Sequence, residues 1–474
     1  MKARSNTFVL VCVAALASIM ASYFIAASNI VVGGLIIIGV IGLFVVGAMV
    51  FDFRIGVYIL FLMGSFMFYV SRLLTSQIPF GVFYDALVVI TFVCIFLNVK
   101  RVKDWSGFNN IFTLYFVIIT AYQLLQMFNP NAVGLTGWLV SMRNNTSLLT
   151  YIIFFQLFVT IKDIKYFTML WLGVGLAVAF YGIYQETFGL TDFEWRWIYE
   201  APGRFELYYQ WGSMRKFSFL SDPSSYGLFL AFGGLAFITL IFGPYRTRWK
   251  IFCGVAAMIC FIAMANSGTR TATAMVAIGL LLLVLLNINS QKVILFAMAV
   301  VFAGGIVFFG PFYSGTVIRL RSTFTPSEDA SMGVRDYKRL RFQEYIRSNP
   351  IGGGPMTTGT SGVIYSPGHP LAGGWDPDSG YLATGLELGW VGLLIFVSFF
   401  AAVMIKGINN HFLIVDPLLR NLNLVYTIPF FALTVGHFTQ HAMFSKPSNL
   451  LVIAIYALLI RLPQFDTLKS DTII

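Results

Sequence analysis

The stretch IVVGGLIIIGVIGLFVVGAMV, residues 30–50, indicates the class of this chain because it runs for 21 residues without a single charged or polar side chain. A helix that crosses a membrane needs about 20 mostly apolar residues. The rest of the chain has the same character, since 58% of its residues are hydrophobic and only 11% are charged. Its mean hydropathy is +0.80. The sequence therefore predicts an integral membrane protein.

Similar apolar runs on both sides of this stretch predict about 14 transmembrane helices, within a range of 12–14. Continuous apolar runs of this length favour helices, because lipid offers no hydrogen-bond partner to backbone N–H and C=O groups, and a helix pairs them within one segment. We therefore expect an all-α polytopic membrane protein, and we interpret the first run as an uncleaved helix rather than a signal peptide. The runs are 8–27, 30–50, 55–70, 84–99, 111–128, 147–161, 166–184, 224–243, 251–266, 271–287, 293–313, 381–405, 422–440 and 448–462.

These runs divide the chain into four parts. Residues 1–313 hold helices 1–11, residues 314–380 form a large polar loop, residues 381–462 hold helices 12–14, and residues 463–474 form a tail. Lysine and arginine in short loops mark the cytoplasmic side. Placing the N-terminus inside puts the basic clusters at 100–103 and 246–250 there. Both termini are then predicted to be cytoplasmic, with the 314–380 loop outside.

Two other classes of protein are excluded by the distribution of cysteine and charge. Each of the four cysteines lies inside a predicted span, which indicates small buried hydrophobes rather than disulfides or metal ligands. The net charge of +11 is spread over many loops, so no basic stripe suited to nucleic acid exists. We predict no cofactor, no metal and no nucleic-acid partner.

Arginine is unusually frequent on the predicted outer side, which carries twelve arginines and three lysines. An arginine fork matches a phosphate or carboxylate with two parallel hydrogen bonds, whereas lysine is a point charge. This bias favours anion recognition; the alternative is pairing with outer acidic residues. Six of the arginines lie in the 314–380 loop: Arg319, Arg321, Arg335, Arg339, Arg341 and Arg347.

Two further arginines lie where predicted spans meet the outer face. Arg270 follows Asn266-Ser267-Gly268-Thr269, and a charge at this depth favours a polar cavity. The alternative is an interfacial arginine that reaches the headgroups. Arg215 lies shortly before Asp222-Pro223, where a helix start would point N–H groups outward and favour an anion.

Several other motifs have both a chemical and a structural interpretation. Asp376-Pro377-Asp378 resembles a metal-binding Asp-x-Asp, but it lies on the side away from cytosolic nucleotide sugars. Gly352-Gly353-Gly354 could form a phosphate nest, although a flexible turn is favoured. His437 and His441 share one helix face, and helix-end packing or cavity lining is favoured over metal binding.

An aromatic-rich stretch precedes Arg215. It is typical of a membrane-interface belt, and sugar stacking is the alternative. Its members are Trp195, Trp197, Tyr199, Tyr208, Tyr209 and Trp211.

Taken in order, these motifs resemble the superfamily of O-antigen ligases and O-unit (Wzy-type) polymerases, which are bacterial envelope glycosyltransferases. The resemblance covers about residues 170–400. It is carried by Arg215 ahead of a Phe-x-x-x-Pro segment, by the turn Ser267-Gly268-Thr269-Arg270 and by the stretch from Arg335 to Asn349-Pro350-Ile351-Gly352-Gly353-Gly354. The last elements are Asp378-Ser379-Gly380-Tyr381-Leu382 and Glu387-Leu388-Gly389-Trp390-Val391-Gly392.

The resemblance implies a GT-C-like membrane enzyme of the bacterial cytoplasmic (inner) membrane, with an outward-facing site and short helices in its large loop. It implies inverting glycosyl transfer with undecaprenyl-diphosphate-linked oligosaccharides as donor and acceptor, with a chain-length regulator as a further partner. The products would be O-antigen, capsule or exopolysaccharide.

Particular residues can be assigned roles under this resemblance. Arg215 and Arg270 are the expected diphosphate clamps and Asp378 the expected general base, since preorganised cations stabilise the charge that develops on a departing diphosphate. The expected substrate-binding residues are Arg204, Arg335, Arg339, His369, Tyr381, His437 and His441.

Three functions remain open on the sequence. Ligases of this family carry His-Asn or His-Ser where this chain has Asp378-Ser379, which favours a polymerase over an O-antigen ligase acting on lipid A core. A secondary transporter or lipid-linked sugar flippase would also be polytopic. It is disfavoured because the ionisable residues gather at the outer surface, and no repeated half with paired broken helices is visible.

Overall fold

The structure, a computed structural model, describes residues 30–74, 80–98, 103–210, 212–311, 340–373 and 376–466, with isolated positions before residue 30 and at Arg321. Helices dominate these residues, as predicted. The strands within them are β1 (Tyr209–Gln210) and β2 (Ser213–Met214), which pair antiparallel with Tyr209 opposite Met214.

The helices follow the predicted apolar runs closely. In chain order they are α1 (Ile30–Phe51), α2 (Arg54–Leu74), α3 (Phe80–Leu97), α4 (Ile111–Leu125), α5 (Thr136–Asn144), α6 (Ser147–Leu157), α7 (Ile161–Phe188), α8 (Asp192–Glu200), α9 (Arg204–Tyr208), α10 (Pro223–Ile241), α11 (Thr247–Ala265), α12 (Arg270–Leu286), α13 (Gln291–Phe309), α14 (340–348), α15 (Gly359–Tyr365), α16 (Gly380–Leu413), α17 (Pro417–Gly436) and α18 (Ser448–Arg461). Short 3-10 turns follow α4 and α18.

Nine described helices are long and apolar enough to cross a membrane, and three more apolar helices are shorter. The predicted count of about 14 is not reproduced within the described residues. Most of the run 8–27 lies outside them, and the run 147–161 holds α6, which has only 11 residues. The division into a loop at 314–380 and helices at 381–462 stays a prediction. Within the described part of 314–380, the short helices are α14 and α15.

Helices α10, α17 and α18 form the centre of the bundle. Within their most apolar windows, 89%, 72% and 78% of the residues are buried inside the protein. Several polar groups in this centre pair with one another across helices, which lowers the cost of burying them away from water. The Tyr426 hydroxyl in α17, for example, lies 2.6 Å from the Thr168 hydroxyl and accepts from the Trp171 indole at 3.1 Å. Both partners lie in α7.

The two ends of the bundle have different character. One end, here named the loop end, gathers the connections 126–147, 189–222, 266–269, 340–379 and 437–447. The opposite end carries ion pairs between loops and helices. Arg54 lies 3.0 Å from Asp163, and the fully buried Arg461 lies 2.7 Å from Asp104. The assignment of the loop end to the outer face stays a prediction from the basic residues.

Helix α16 breaks at Gly389, nine residues after it begins. Gly389 has φ +70° and ψ −178°, a conformation open essentially to glycine alone. The break frees the carbonyl groups of Leu386 and Glu387 from their helical partners. They accept instead from the N–H groups of Gly353 and Gly354, at 2.8 and 2.9 Å. The Gly-rich segment therefore completes the hydrogen bonding of a broken membrane helix.

Candidate active site

Arg215 and Arg270, the two expected anion-binding residues, are brought to one turn at the loop end. Arg215 donates from Nε to the Ser267 carbonyl at 2.9 Å and from a terminal nitrogen to the Thr269 hydroxyl at 3.1 Å. Thr269 is the N-cap of α12, and Arg270 is that helix's first residue. The Thr269 hydroxyl lies 3.1 Å from the Pro223 carbonyl, so the start of α10 meets the same turn.

The segment that carries Asp378 lies against the C-terminal end of α17. The Gly380 N–H donates to the His437 carbonyl at 3.0 Å, and His441 Nε2 lies 2.8 Å from the Pro377 carbonyl. Because a carbonyl oxygen only accepts, this contact requires the hydrogen on Nε2. In the neutral ring, Nδ1 is then left with a free lone pair. Asp378 itself is exposed.

His437 and Tyr381 pack this segment in place. His437 is 1% exposed and its ring contacts Gly380, where an added Cβ would come within 1.9 Å of it. Burial lowers the pKa of His437 to about 3, so the ring is neutral near pH 7. The Tyr381 ring lies 4.8 Å from the His437 ring, and its hydroxyl donates to the Thr434 carbonyl at 2.9 Å. Both residues position the Asp378 segment.

One hydrogen bond joins the arginine turn to the Asp378 region. The hydroxyls of Thr271 and Thr439 lie 2.6 Å apart. Thr271 follows Arg270 in the chain, and Thr439 lies two residues before His441. The sequence-predicted candidates Arg215, Arg270, Asp378 and His441 thus belong to one connected region of the loop end.

The Gly352-Gly353-Gly354 segment lies elsewhere and has a structural role. Its three N–H groups donate to the carbonyls of Asn349, Leu386 and Glu387 at 2.8–2.9 Å. A phosphate nest needs free N–H groups. The nest interpretation is therefore not supported here, and the segment is better described as a turn that braces α16.

His369 packs beneath this brace rather than beside Asp378. The side chain is 4% exposed and its Nδ1 accepts from the Leu371 N–H at 3.1 Å. Its ring borders Gly353, and burial lowers its pKa. His369 is buried within the loop and does not line the cavities described below, so its expected binding role stays a prediction.

Arg204 is also engaged in packing. Its guanidinium carbon lies 4.1 Å from the centre of the Trp197 ring, and it donates to the Trp197 carbonyl. The aromatic stretch around it forms a small separate cluster with β1 and β2, centred on the buried side chains of Ile198, Tyr208, Met214 and Phe217. Arg335, Arg339 and Trp211 lie outside the described residues.

A cavity of about 480 Å³ opens between these elements at the loop end. Its lining includes the polar side chains of Asp376, Glu387, Thr358 and His441. It also includes phenyl rings from α4 and α16 together with Tyr456, among them Phe116, Phe396, Phe399 and Phe400. A cavity lined by both polar and apolar side chains suits an amphipathic ligand. Arg215, Arg270 and Asp378 are not among its lining residues.

Glu387 is the lining residue that sequence reasoning missed as a chemical group. In the sequence Glu387 belongs to the motif Glu387-Leu388-Gly389-Trp390-Val391-Gly392, and an acid inside an apolar span is itself a signal of function. Its carboxylate accepts from the Thr358 hydroxyl at 2.6 Å. Within the described part of the chain, no three His, Cys, Asp or Glu side chains form a group that could hold a metal ion.

The fold and the site define a class: a polytopic helical membrane protein whose arginine, carboxylate and imidazole groups gather beside an amphipathic cavity at one end. Residues 254–397 match the family model described as O-antigen ligase (Wzy_C). The match confirms the resemblance to the O-antigen ligase and polymerase superfamily and indicates a membrane enzyme of that type. It includes Arg270, Asp378 and Glu387 but not Arg215 or His441. A search of curated proteins gave no match.

Proposed function

We propose that this protein is a polysaccharide polymerase that joins undecaprenyl-diphosphate-linked repeat units by inverting glycosyl transfer on the outer face of the cytoplasmic membrane. The observation that carries the proposal is the cavity lined both by acids and an imidazole and by phenyl rings. A lipid-linked saccharide likewise combines a polar head with a polyprenyl tail. The Arg215–Arg270 turn, joined to this region through Thr271, supplies cations for the diphosphate.

In the proposed reaction an acceptor hydroxyl attacks the anomeric carbon of the donor sugar. The bond from that carbon to the diphosphate oxygen breaks, and undecaprenyl diphosphate departs with the electron pair. Arg215 and Arg270 stabilise the charge that develops on it, because preorganised donors act strongly in a water-poor site. The hydroxyl proton passes to a general base.

His441 is the group best oriented to be that base. Its Nε2–H is held by the Pro377 carbonyl, so the Nδ1 lone pair is presented from a ring that also lines the cavity. Asp378, the base expected from the sequence, lies one residue after Pro377 and is the second candidate. A positioned general base contributes about 10²–10⁴-fold to a rate.

The same imidazole is the observation that favours the alternative function, an O-antigen ligase. His441 brings a histidine to the segment where ligases of the family carry one in sequence. A ligase would move finished polymer from undecaprenyl diphosphate to lipid A core. The two activities differ in the acceptor, so the acceptor decides between them.

The test uses purified full-length protein in liposomes with a synthetic undecaprenyl-diphosphate-linked repeat unit, with or without lipid A core. A polymerase yields a ladder of lipid-linked polymer without lipid A core. A product that forms only on lipid A core would establish the ligase, and no transfer to either acceptor would overturn the enzyme proposal.

The base assignment is tested in the same assay with a matched pair of variants. His441→Gln should lower the transfer rate by about 10²-fold or more. His411→Gln is the control, because His411 makes a similar contact with the Leu286 carbonyl at 3.1 Å but lies at the opposite end of the bundle. If His441→Gln is fully active while Asp378→Asn is not, Asp378 is the base.

A further inference from the structure

A second cavity of about 440 Å³ lies at the loop end beside the first. Its wall is rich in hydroxyl groups, from Thr146, Ser147, Thr150, Ser221 and Ser445. Apolar side chains of α2 and α18 complete it, among them Met67, Phe68 and Leu450. The cavity therefore also combines a polar surface with an apolar one.

Lys446 supplies a cation to this cavity. Its ammonium lies 3.4 Å from the centre of the Tyr84 ring, and within the described residues it has neither an ion pair nor a hydrogen bond. The acid of this cavity, Asp85, lies 3.5 Å from Arg143 and also interacts electrostatically with Lys446 without a direct ion pair. A mostly buried ammonium with three unused donors is costly unless an anion joins it.

Burial lowers the pKa of Lys446 to about 8 despite the opposing effect of Asp85, which leaves the ammonium mostly protonated at neutral pH. An anionic ligand beside it would favour the charged form and raise this pKa again. The hydroxyls of Thr150, Ser221 and Ser445 already donate within the protein. Lys446 and the hydroxyls of Thr146 and Ser147 match a phosphate, whose oxygens accept from both ammonium and hydroxyl donors.

The two cavities adjoin each other. Ser147, Phe444, Asn449 and Ile453 line both of them. The segment from His441 to Asn449 runs between them, with His441 on the first cavity and Lys446 on the second. Two ligands seated in these cavities would therefore meet near the proposed base.

We propose that the second cavity binds the diphosphate of a second lipid-linked saccharide, with Lys446 as its principal cation. This inference rests on the proposed function, because only joining two lipid-linked molecules requires two such sites. The hydroxyls of Thr146 and Ser147 would contact the diphosphate oxygens, and the side chains of α2 and α18 would contact the first isoprene units of the lipid.

The experiment measures how many molecules of undecaprenyl diphosphate bind to the purified full-length protein in nanodiscs. The wild type should bind two equivalents. Lys446→Gln should weaken one of them by about tenfold or more, whereas Lys446→Arg should retain both. Lys250→Gln, which changes a lysine at the opposite end of the bundle, is the matched control and should bind as the wild type does.

A second variant tests the cavity without removing its charge. Ser445→Leu fills space in the second cavity alone, and it should also reduce binding to one equivalent. Thermal melting of each variant checks that it is folded. Inorganic pyrophosphate should compete with the lipid at the second site; competition without lipid binding would mean that the site takes free diphosphate instead.

Two outcomes would overturn the inference: a wild-type protein that binds a single equivalent, or variants of Lys446 and Ser445 that still bind two with unchanged affinity. The proposed function fails separately. If the protein binds two equivalents but makes no polymer, the second site is supported and the polymerase assignment is refuted.

Discussion

Replacing Gly389 with alanine should destabilise the protein, because the break in α16 depends on this glycine. Its φ of +70° and ψ of −178° lie where a residue with a Cβ is strained. The added Cβ would also lie 1.9 Å from the Pro350 carbonyl oxygen and 2.5 Å from the Gly352 nitrogen. Both atoms are backbone, so neither can turn away as a side chain would.

The size of the effect follows from these contacts. A non-glycine residue in this backbone region costs about 1–3 kcal/mol. Moving the Pro350–Gly352 segment to relieve the clash would break the bonds from Gly353 and Gly354 to the carbonyls of α16, each contributing about 0.5–1.5 kcal/mol net. We expect a loss of about 2–6 kcal/mol, a large part of the total of roughly 5–15 kcal/mol that is usual for a folded protein.

The assay is thermal unfolding of detergent-purified protein, followed by size-exclusion chromatography of the soluble fraction. Gly173→Ala is the matched control, because Gly173 lies inside α7 and a Cβ there would meet nothing within 4 Å. We expect Gly389→Ala to melt well below the wild type and Gly173→Ala to match it. Equal melting temperatures for Gly389→Ala and the wild type would refute the structural role of Gly352-Gly353-Gly354 and would favour its interpretation as a phosphate-binding nest.

Three further outcomes are expected. Arg215→Lys and Arg270→Lys keep the charge but lose the fork, so each should lower transfer by about tenfold or more; full activity of both would exclude bidentate diphosphate binding. Arg461→Met should lower the free energy of unfolding by about 3 kcal/mol, which is the low end for a broken buried ion pair because its partner Asp104 is partly exposed. Chemical denaturation measures this free energy, and an unchanged value would contradict the prediction. Binding at the second site should weaken as pH rises through about 8, where Lys446 loses its proton; affinity that stays constant from pH 7 to 9 would exclude its charge as the cause.

The helices were predictable from sequence because the rule that sets them is local. Runs such as 224–243 and 422–440 agree with α10 and α17 to within a few residues. The run 147–161 shows the limit of the rule, since it holds the short helix α6 and the turn after it. Hydropathy reports that a segment is apolar, but not whether its helix continues across the membrane.

The site was only partly predictable. Arg215 and Arg270 stood out because a charge beside an apolar span is costly and therefore informative. His369 stood out for its position near Asp378 in the chain, yet it packs beneath Gly353 instead. Distance along a loop says little about which of its residues meet.

The sequence by itself determined that the chain is a helical membrane protein, which family it resembles and which arginines merit attention. Lipid penalises every unpaired backbone group and every exposed charge. Each membrane segment must therefore be apolar and helical on its own, and this requirement can be recognised in its local sequence. Only the tertiary structure decided that Gly353 and Gly354 close the break at Gly389, that His441 meets Pro377 and that Lys446 lies over Tyr84. Each of these contacts joins segments far apart in the chain, and their pairing depends on how the whole bundle packs.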